Sequence, residues 1–587
     1  MTTLRPPAAA VMRGPAPMLL VAAAALAWLA LIGDAYAVRL ATLAGAQALL
    51  VLGYQLVFGH VGALSLAQGA LFGLGAYVAA MLSLHAPWSL SLTLPAASLA
   101  AMLVAALVGA VVLRLQTHYF ALATLAVAQL IHLAAVNLEG LTGGANGLPG
   151  VPTVSLAGVA IGRGWPMLLL AWGLFAIAGW AVARALAGLR GLALDLAREH
   201  PLAAQSIGID VSALRFTAFV AGAGLAGLAG GLHAHVVGVV SPDVTDMPVM
   251  VGCLIATVIG GHRAVFGAAL GAILLTHAPE WFRFLENRHL IAFGVLALAM
   301  VIVAPDGLAA LLAAMRNRLW PSPDQTPPAA MPAPPIATTR PPLLLRVAHV
   351  GKAFGGVRAL DDVSLTLAPG EAVGVIGPNG SGKTTLINVI TGVVPADDGV
   401  VHLGSELLRH RPAFAIARLG LARTFQHAEL SATTVALDAV ATSAFARTPR
   451  PQRHAARTEA MGWLTRLGAG AQAGMRCGAL PAGRRRLIEV ARALMVRPCV
   501  LILDEPGAGL SRPERIELAR RLREAQEGGV ALLVVDHDID FLAACADRLI
   551  CLGRGRVVAD GPIDTVRRDP LVRRAYFGRD DDAVIQA

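Results

Sequence analysis

Lysine is nearly missing from this chain: of 587 residues only Lys352 and Lys383 are lysines, and the other 45 basic residues are arginines. Charge of either sign is scarce, at 14%, against 56% hydrophobic residues and a mean hydropathy of +0.65. That balance excludes a disordered chain and an ordinary cytosolic protein. Cysteine is sparse too: Cys253, Cys477, Cys499, Cys545 and Cys551 form no CxxC pair, which argues against a disulfide framework or zinc site and makes them small apolar packers. The net charge of +10 lacks the aromatic-interleaved basic patch of a nucleic-acid binder. Anionic lipid at the cytoplasmic face of a membrane is the simpler partner.

The scarcity of charge is uneven. Residues 1–319 carry 14 Arg and 10 Asp or Glu, whereas residues 320–587 carry 33 Lys or Arg and 27 Asp or Glu. The division predicts a multi-domain chain: an all-α polytopic membrane domain at 1–319, a Pro-rich linker at 320–342 and a soluble α/β domain at 343–587. A hydrocarbon core of about 30 Å takes about 20 apolar residues per helix. Windows free of Asp, Glu, Lys and Arg run 14–33, 40–113, 115–138, 164–183, 216–242, 247–262, 264–279 and 289–305.

The 40–113 window is long enough for three helices, with breaks near Gly59 and His60 and at Ala86 and Pro87, so the total is nine or ten spans. Arg5 and Arg13 precede the first span and Arg316 and Arg318 follow the last, which puts both ends on the positive side; parity then favours ten. The stretch 247–279, interrupted at Gly260, Gly261 and Arg263, is either two spans or one span plus a re-entrant segment. Residues 14–37 imitate a secretory signal, but with many spans behind them they read as an uncleaved first helix. The scarcity of intramembrane charge suits a neutral, zwitterionic or apolar cargo, or one held by backbone dipoles or another subunit. Gly222, Gly224, Gly227, Gly230 and Gly231 have the small-residue spacing of closely packed helices.

Residues 320–342 read WPSPDQTPPAAMPAPPIATTRPP, too rich in proline for a helix or strand. As an extended tether at about 3.1 Å per residue they reach roughly 60 to 70 Å.

The most specific motif is GPNGSGKT at Gly377 to Thr384, between the apolar run AVGVI and the helix-compatible TLINVI. Buried strand, glycine-rich loop and helix in that order make a P-loop. Gly377, Pro378, Asn379, Gly380, Ser381 and Gly382 form the loop whose backbone surrounds phosphates. Lys383 reaches the β and γ oxygens, the Thr384 hydroxyl ligates Mg²⁺, and Thr385 continues the helix N-terminus. A chain that otherwise relies on arginine has lysine here, where a compact ammonium is needed. The run CVLILDEP at 499–506 predicts a buried parallel strand that delivers Asp504 towards Mg²⁺ and Glu505 as general base. A third strand, VALLVVDHD at 530–538, ends in His537, within reach of a γ-phosphate.

On these motifs residues 343–587 resemble the ATP-binding cassette (ABC) family along essentially their whole length. The resemblance implies that Gln426 in ARTFQ senses Mg²⁺ and the transport domain, that His537 is the switch histidine, and that Phe354 in KAFGG stacks adenine. PGAGLSRPE after Glu505 and LVRRAYFG at 571–578 are similar to the ATPases of branched-chain amino acid importers. One departure matters. The family signature, LSGGQ or a near variant, aligns with LPAGR at Leu480 to Arg484. Pro481 lacks the hydroxyl and the N–H that bind phosphate, while Gly483, Arg484 and the following helix N-terminus keep positive potential. In this family each signature completes the partner's site, so an asymmetric pair is expected: the site completed by this segment hydrolyses poorly, and Lys383 and Glu505 work against an intact signature in trans.

The first half is similar to the permease subunits of the same importers over most of 38–312. The matching stretches are GHVGALSLAQGALFGLGAYVAA at 59–80, HYFALATLAVAQ at 118–129, LTGGANGLPGVP at 141–152 and VIGGHRAVFGAALGA at 258–272. The segment from Arg190 to Arg215, with LAREHPLAAQSIGID, resembles their coupling helix, which presses into the ATPase groove lined by the Gln426 loop; a plain amphipathic surface helix is the alternative. The resemblance implies a fused permease and ATPase that imports branched-chain or other apolar amino acids across a bacterial inner membrane, with its ATPase cytoplasmic and ATP and Mg²⁺ as cofactors. Urea, short amides and aromatic acids are alternative cargoes. The implied partners are a second permease, a second ATPase and an external solute-binding protein. An exporter half-molecule and an ATP-gated regulator are the rivals, and the short glycine-rich spans argue against the exporter.

Overall fold

The computed structural model describes residues 34–85, 89–113, 117–156, 159–282, 289–319 and 341–573. The expected span at 14–33, nearly all of the linker and the end of LVRRAYFG lie outside these residues. The chain forms two compact units, residues 1–187 with 212–323 and residues 188–211 with 324–587. The segment expected to couple the halves therefore packs with the C-terminal unit.

The first unit is built from α1 (Ala35–Tyr54), α2 (Gln68–His85), α3 (Leu90–Val112), α4 (Thr117–Asn137), α5 (Trp165–Leu186), α6 (Val211–Val237), α7 (Met247–Gly260), α8 (Val265–Trp281) and α9 (His289–Val303). Each charge-free window within the described residues carries a helix. The 40–113 window divides into α1, α2 and α3, and α1 runs into a π-helical turn, Gln55–His60, that ends at the expected break. With that turn, α1 is long and apolar enough to cross a membrane, as are α3, α4, α5 and α6. By contrast α7 and α8 have 14 and 17 residues, about 21 and 26 Å at 1.5 Å per residue.

Where side chains are small, backbones touch. A Cβ on Gly222 would stand 2.6 Å from the Gly53 carbonyl oxygen, and one on Gly227 would stand 2.5 Å from that of Ala97. These two glycines seat α6 against α1 and α3, the packing expected of small residues between helices in lipid. The expected interruption at Gly260, Gly261 and Arg263 is the turn between α7 and α8. Gln55 Nε2 ties it to the end of α1 by donating to the carbonyls of Gly261 (2.9 Å) and Ala264 (3.0 Å). Leu99, Leu103 and Leu107 of α3 and Ile177 and Trp180 of α5 remain exposed, as lipid-facing positions require.

Among the described residues the second unit has ten strands: β1 (Leu345–Phe354), β2 (Val357–Leu367), β3 (Ala372–Ile376), β4 (Asp398–Leu403), β5 (Glu406–Leu407), β6 (Leu421–Arg423), β7 (Val500–Asp504), β8 (Ala531–Val535), β9 (Arg548–Gly553) and β10 (Arg556–Pro562). One sheet is antiparallel with order β2-β1-β4-β5. The other, ordered β6-β7-β8-β3-β9-β10, is parallel except for its β9–β10 edge. Every residue of β3, β7 and β8 is buried, which accounts for their unbroken apolar runs: a parallel sheet is covered on both faces. The five cysteines are all unpaired and buried, as packers should be.

The α6 seam has a direct test. Gly227→Val forces side-chain atoms into the backbone of α3 and should cost about 1–3 kcal/mol, seen as a lower thermal midpoint of the detergent-purified chain. Gly140→Ala, at a position with nothing within 4 Å, should leave the midpoint unchanged.

Candidate nucleotide site

A parallel sheet brings the carboxyl ends of its strands to one edge, and phosphate groups are held at the helix N-termini that follow. Here β3 leads into the loop at 377–382 and then into α10 (Lys383–Ile390). Gly380 and Gly382 have φ of +78° and +103°, values open to glycine at little cost. Gly382 also packs on the neighbouring sheet, since a Cβ there would stand 2.6 Å from the Ala359 carbonyl oxygen. Ser381 is buried, whereas Asn379 and Thr384 are exposed and Pro378 and Thr385 are partly covered. Lys383 Nζ donates to the carbonyls of Gly377 (2.6 Å) and Pro378 (2.9 Å). Burial lowers the pKa of Lys383, while Glu505 and Asp504 pull it back up.

The neighbouring strand end supplies the acids. Asp504 is buried at the end of β7, and its N–H donates to Thr424 Oγ1 at 3.2 Å. Burial raises its carboxyl pKa, opposed first by the Arg423 guanidinium. Arg423 is buried as well, bonded to Asn388 Oδ1 (2.8 Å) and Thr391 Oγ1 (3.0 Å), and burial pulls it down to about 10. Glu505 follows with φ +48°, a left-handed conformation that non-glycine residues adopt at a cost. Its N–H donates to the Val535 carbonyl at 2.7 Å. His537, beyond β8, is exposed.

Asp536 is a member of this edge that the sequence reading passed over. It is 3% exposed, and its carboxylate accepts the N–H groups of His537 (2.8 Å), Asp538 (3.0 Å) and Gly507 (3.4 Å). It thereby joins the turn after Glu505 to the turn carrying His537. The strand-terminal acid in VVDHD was its signal.

A second omission lies beneath Gln426, whose side chain is exposed just beyond β6. The helix α11 (Ala482–Met495) presents Arg486, Glu489 and Arg492 at three-residue intervals, hence on one face. All three are buried. Arg486 Nη1 donates to Glu489 Oε2 (2.9 Å), and its guanidinium also reaches the carbonyls of Phe425 and Gln426. The Phe425 N–H donates to Glu489 Oε1 at 3.0 Å, and Arg492 Nη1 donates to the Glu429 carbonyl at 2.6 Å. Burial raises the Glu489 carboxyl and lowers the Arg492 guanidinium, each opposed by its partner's charge.

The 188–211 segment reaches the same loop. It forms two short helices, Leu189–Glu199 and Pro201–Ser206, with His200 between them. His200 Nδ1 contacts the Glu429 carboxylate, and Arg418 Nε donates to the Gly208 carbonyl at 2.9 Å. Its apolar positions Leu189, Ala193, Leu196, Ala203 and Ala204 are buried.

At the LPAGR segment Pro481 is the residue before α11 and caps it with no side-chain hydrogen bond. Gly483 is buried against Gly509, a Cβ there standing 2.8 Å from the Gly509 carbonyl oxygen. Arg484 is engaged within the domain, 3.4 Å from Glu514 and bonded to the Gly468 carbonyl at 3.1 Å. The positive potential expected from it is thus partly offset. Phe354, at the end of β1, is half exposed.

Both halves of the chain are similar to known proteins. Residues 36–305 match the model of the branched-chain amino acid transport system permease component, and residues 360–508 match that of the ABC transporter. The chain is 34% identical over 251 residues to the high-affinity branched-chain amino acid transport ATP-binding protein LivG of Escherichia coli (strain K12), covering 40% of this chain and 98% of LivG. The corresponding protein BraF of Pseudomonas aeruginosa is 32% identical over 253 residues, with the same coverage of 40% and 98%. Among solved structures, a nucleotide-free ATP-binding cassette from an ABC transporter is 30% identical, covers 40% of this chain and 100% of its own, and gives a TM-score of 0.37.

The buried cluster on α11 yields a stability test. Glu489→Ala leaves two enclosed guanidinium groups without their shared carboxylate and should destabilise the second unit by about 3–5 kcal/mol, measured by denaturant unfolding of the purified chain. A loss within measurement error would mean that the cluster is not enclosed.

Proposed function

We propose, on the premise that this chain belongs to the ABC transporter family and joins a branched-chain amino acid permease domain to an ABC ATPase domain, that it uses ATP to import branched-chain or other apolar amino acids. The observation that carries the reading is the packing of residues 188–211 on the ATPase, with His200 against Glu429, three residues beyond Gln426. Domain limits of 1–319, 320–342 and 343–587 accommodate it, residues 188–211 being the part of the permease that the ATPase holds. The names of LivG and BraF support the cargo class.

In this reading the loop Gly377 to Gly382 surrounds the phosphates with backbone N–H groups, and Lys383 and the start of α10 with Thr385 neutralise their charge. Phe354 stacks on the adenine. Thr384, Gln426 and Asp504 would hold Mg²⁺, which supplies charge neutralisation on the phosphate oxygens when bound. The donors fit: all are hard oxygens, and among the described residues no group of three or more His, Cys, Asp or Glu could cage a metal. Mg²⁺ keeps water and substrate-phosphate ligands rather than a full protein cage. Glu505 accepts a proton from the attacking water, and His537, oriented by Asp536, donates towards the γ-phosphate. Gly483 and α11 complete the site of a second ATPase. Because Pro481 replaces the signature hydroxyl, that second site hydrolyses poorly, and turnover resides in the site of Lys383 and Glu505.

Closure of the ATPase pair moves the Gln426 loop and, through Glu429, the 188–211 segment, switching the membrane pathway. The assembly takes a second permease, a second ATPase and an external solute-binding protein, in a bacterial inner membrane with the ATPases cytoplasmic. The companion-complete complex in vesicles should accumulate labelled leucine only with ATP on the ATPase side and the binding protein on the other. Outward movement would make it an exporter, and nucleotide binding without uphill transport a regulator.

Two further outcomes are expected in that system. Glu505→Gln should slow ATP turnover by about 10²- to 10⁴-fold while ATP binding persists; unaffected turnover would remove both the general-base role and the asymmetric pair. Glu429→Ala should reduce leucine uptake per ATP hydrolysed without weakening ATP binding, and an unchanged transport ratio would separate the 188–211 contact from coupling.

A further inference from the structure

Both lysines lie in the ATPase unit, and the P-loop accounts for Lys383 alone. Lys352 is in β1, two residues before Phe354. Its Nζ stands 5.5 Å from the centre of the Phe354 ring and 2.6 Å from Asp397 Oδ1. Its side chain is only 12% exposed, whereas Phe354 is 51% exposed. Asp397 is itself held on several sides. Its second carboxylate oxygen accepts the Ala353 N–H at 2.8 Å, its own N–H donates to the Gly351 carbonyl at 3.0 Å, and its carbonyl accepts Arg409 Nη2 at 3.1 Å. The ammonium is therefore clamped beside a ring whose remaining surface is open. The hairpin that carries this ring also borders the P-loop, because Gly382 packs on Ala359 of β2.

We propose that Lys352, held by Asp397, is a positioning residue for the nucleotide base: it fixes the Phe354 ring through a cation–π contact so that the open side of the ring receives a purine. The inference rests on the reading of Phe354 as the base-stacking residue. A cation near an aromatic ring is drawn to its electron-rich surface, and Asp397 sets where that cation sits. An ammonium suits the position better than a guanidinium, whose planar fork would need more room and stack flat on the ring. This gives the second exception to the chain's use of arginine a physical reason.

The test uses the full chain in lipid nanodiscs, titrated calorimetrically in Mg²⁺ with ATP and, separately, with inorganic tripolyphosphate, which has phosphates but no base. Lys352→Met and Asp397→Asn should each weaken ATP binding roughly two- to fivefold and leave tripolyphosphate binding unchanged, a split that general loss of structure would not produce. The double variant Lys352→Met, Phe354→Ala should bind ATP no more weakly than Phe354→Ala alone. Equal weakening of both ligands by Lys352→Met, or additive losses in the double variant, would overturn the inference while leaving the role of Phe354 intact. If Phe354→Ala itself leaves the preference for ATP over tripolyphosphate unchanged, the base-stacking reading fails and the inference with it.

Discussion

The interaction on which most of the ATPase unit depends is the enclosure of Glu489 between Arg486 and Arg492. Removing charges from water is expensive, and such a group is tolerated only when its lone pairs and protons are matched inside. Here the matching partners are not incidental: they are the backbone of Phe425, Gln426 and Glu429. The helix α11, which begins at Ala482, and the loop carrying Gln426 are consequently one electrostatic body. His200 meets that body at the Glu429 carboxylate, so a displacement of the 188–211 segment acts on α11 and on the Gln426 loop together.

The two units solve opposite problems. In the ATPase, charged side chains are buried against counter-charges and N–H donors: Asp536 gathers three N–H groups, and Asp504 sits among counter-charges at the end of a fully buried strand. In the membrane unit the buried polar side chains among the described residues are hydroxyls, amides and imidazoles such as Thr42, Gln68 and His235, and cohesion comes from close backbone approach at Gly222 and Gly227 and from side-chain amides such as Gln55 that satisfy otherwise unpaired carbonyls. Without water as an alternative partner, an unmatched carbonyl in lipid is costly, and that gives Gln55 its value at the α7–α8 turn.

What was legible in the sequence was whatever is written locally. The P-loop, the strand ending in Asp504 and Glu505, and the helices of the charge-free windows each follow from contiguous residues whose chemistry is unambiguous. Arg486, Glu489 and Arg492 were not legible because RRRLIEVAR has the charge density of a solvated helix face; only the fold turns that face inward. Asp536 was overlooked beside His537, since an acid at a strand end gains meaning from the N–H groups of the distant Gly507 turn. Lys352 stood out by its rarity, but its tie to Asp397 crosses 45 residues. The 188–211 segment is flanked by membrane helices in the chain, and its resemblance to a coupling helix already pointed to the ATPase with which it packs; its contact of His200 with Glu429 was not legible, because it joins residues far apart in sequence.

The shortness of α7 and α8 has a consequence for the surrounding lipid. At about 21 and 26 Å, held to each other at their glycine turn, these helices fall short of an average hydrocarbon core of about 30 Å. If the pair spans, the bilayer beside it thins or polar flanks stretch to the interface, each at a small cost per ångström; if it is re-entrant, the helices packed around it take the place of lipid. For a spanning hairpin, acyl-chain length becomes a physical variable: any state that tilts or lengthens the pair gains ground in thicker membranes.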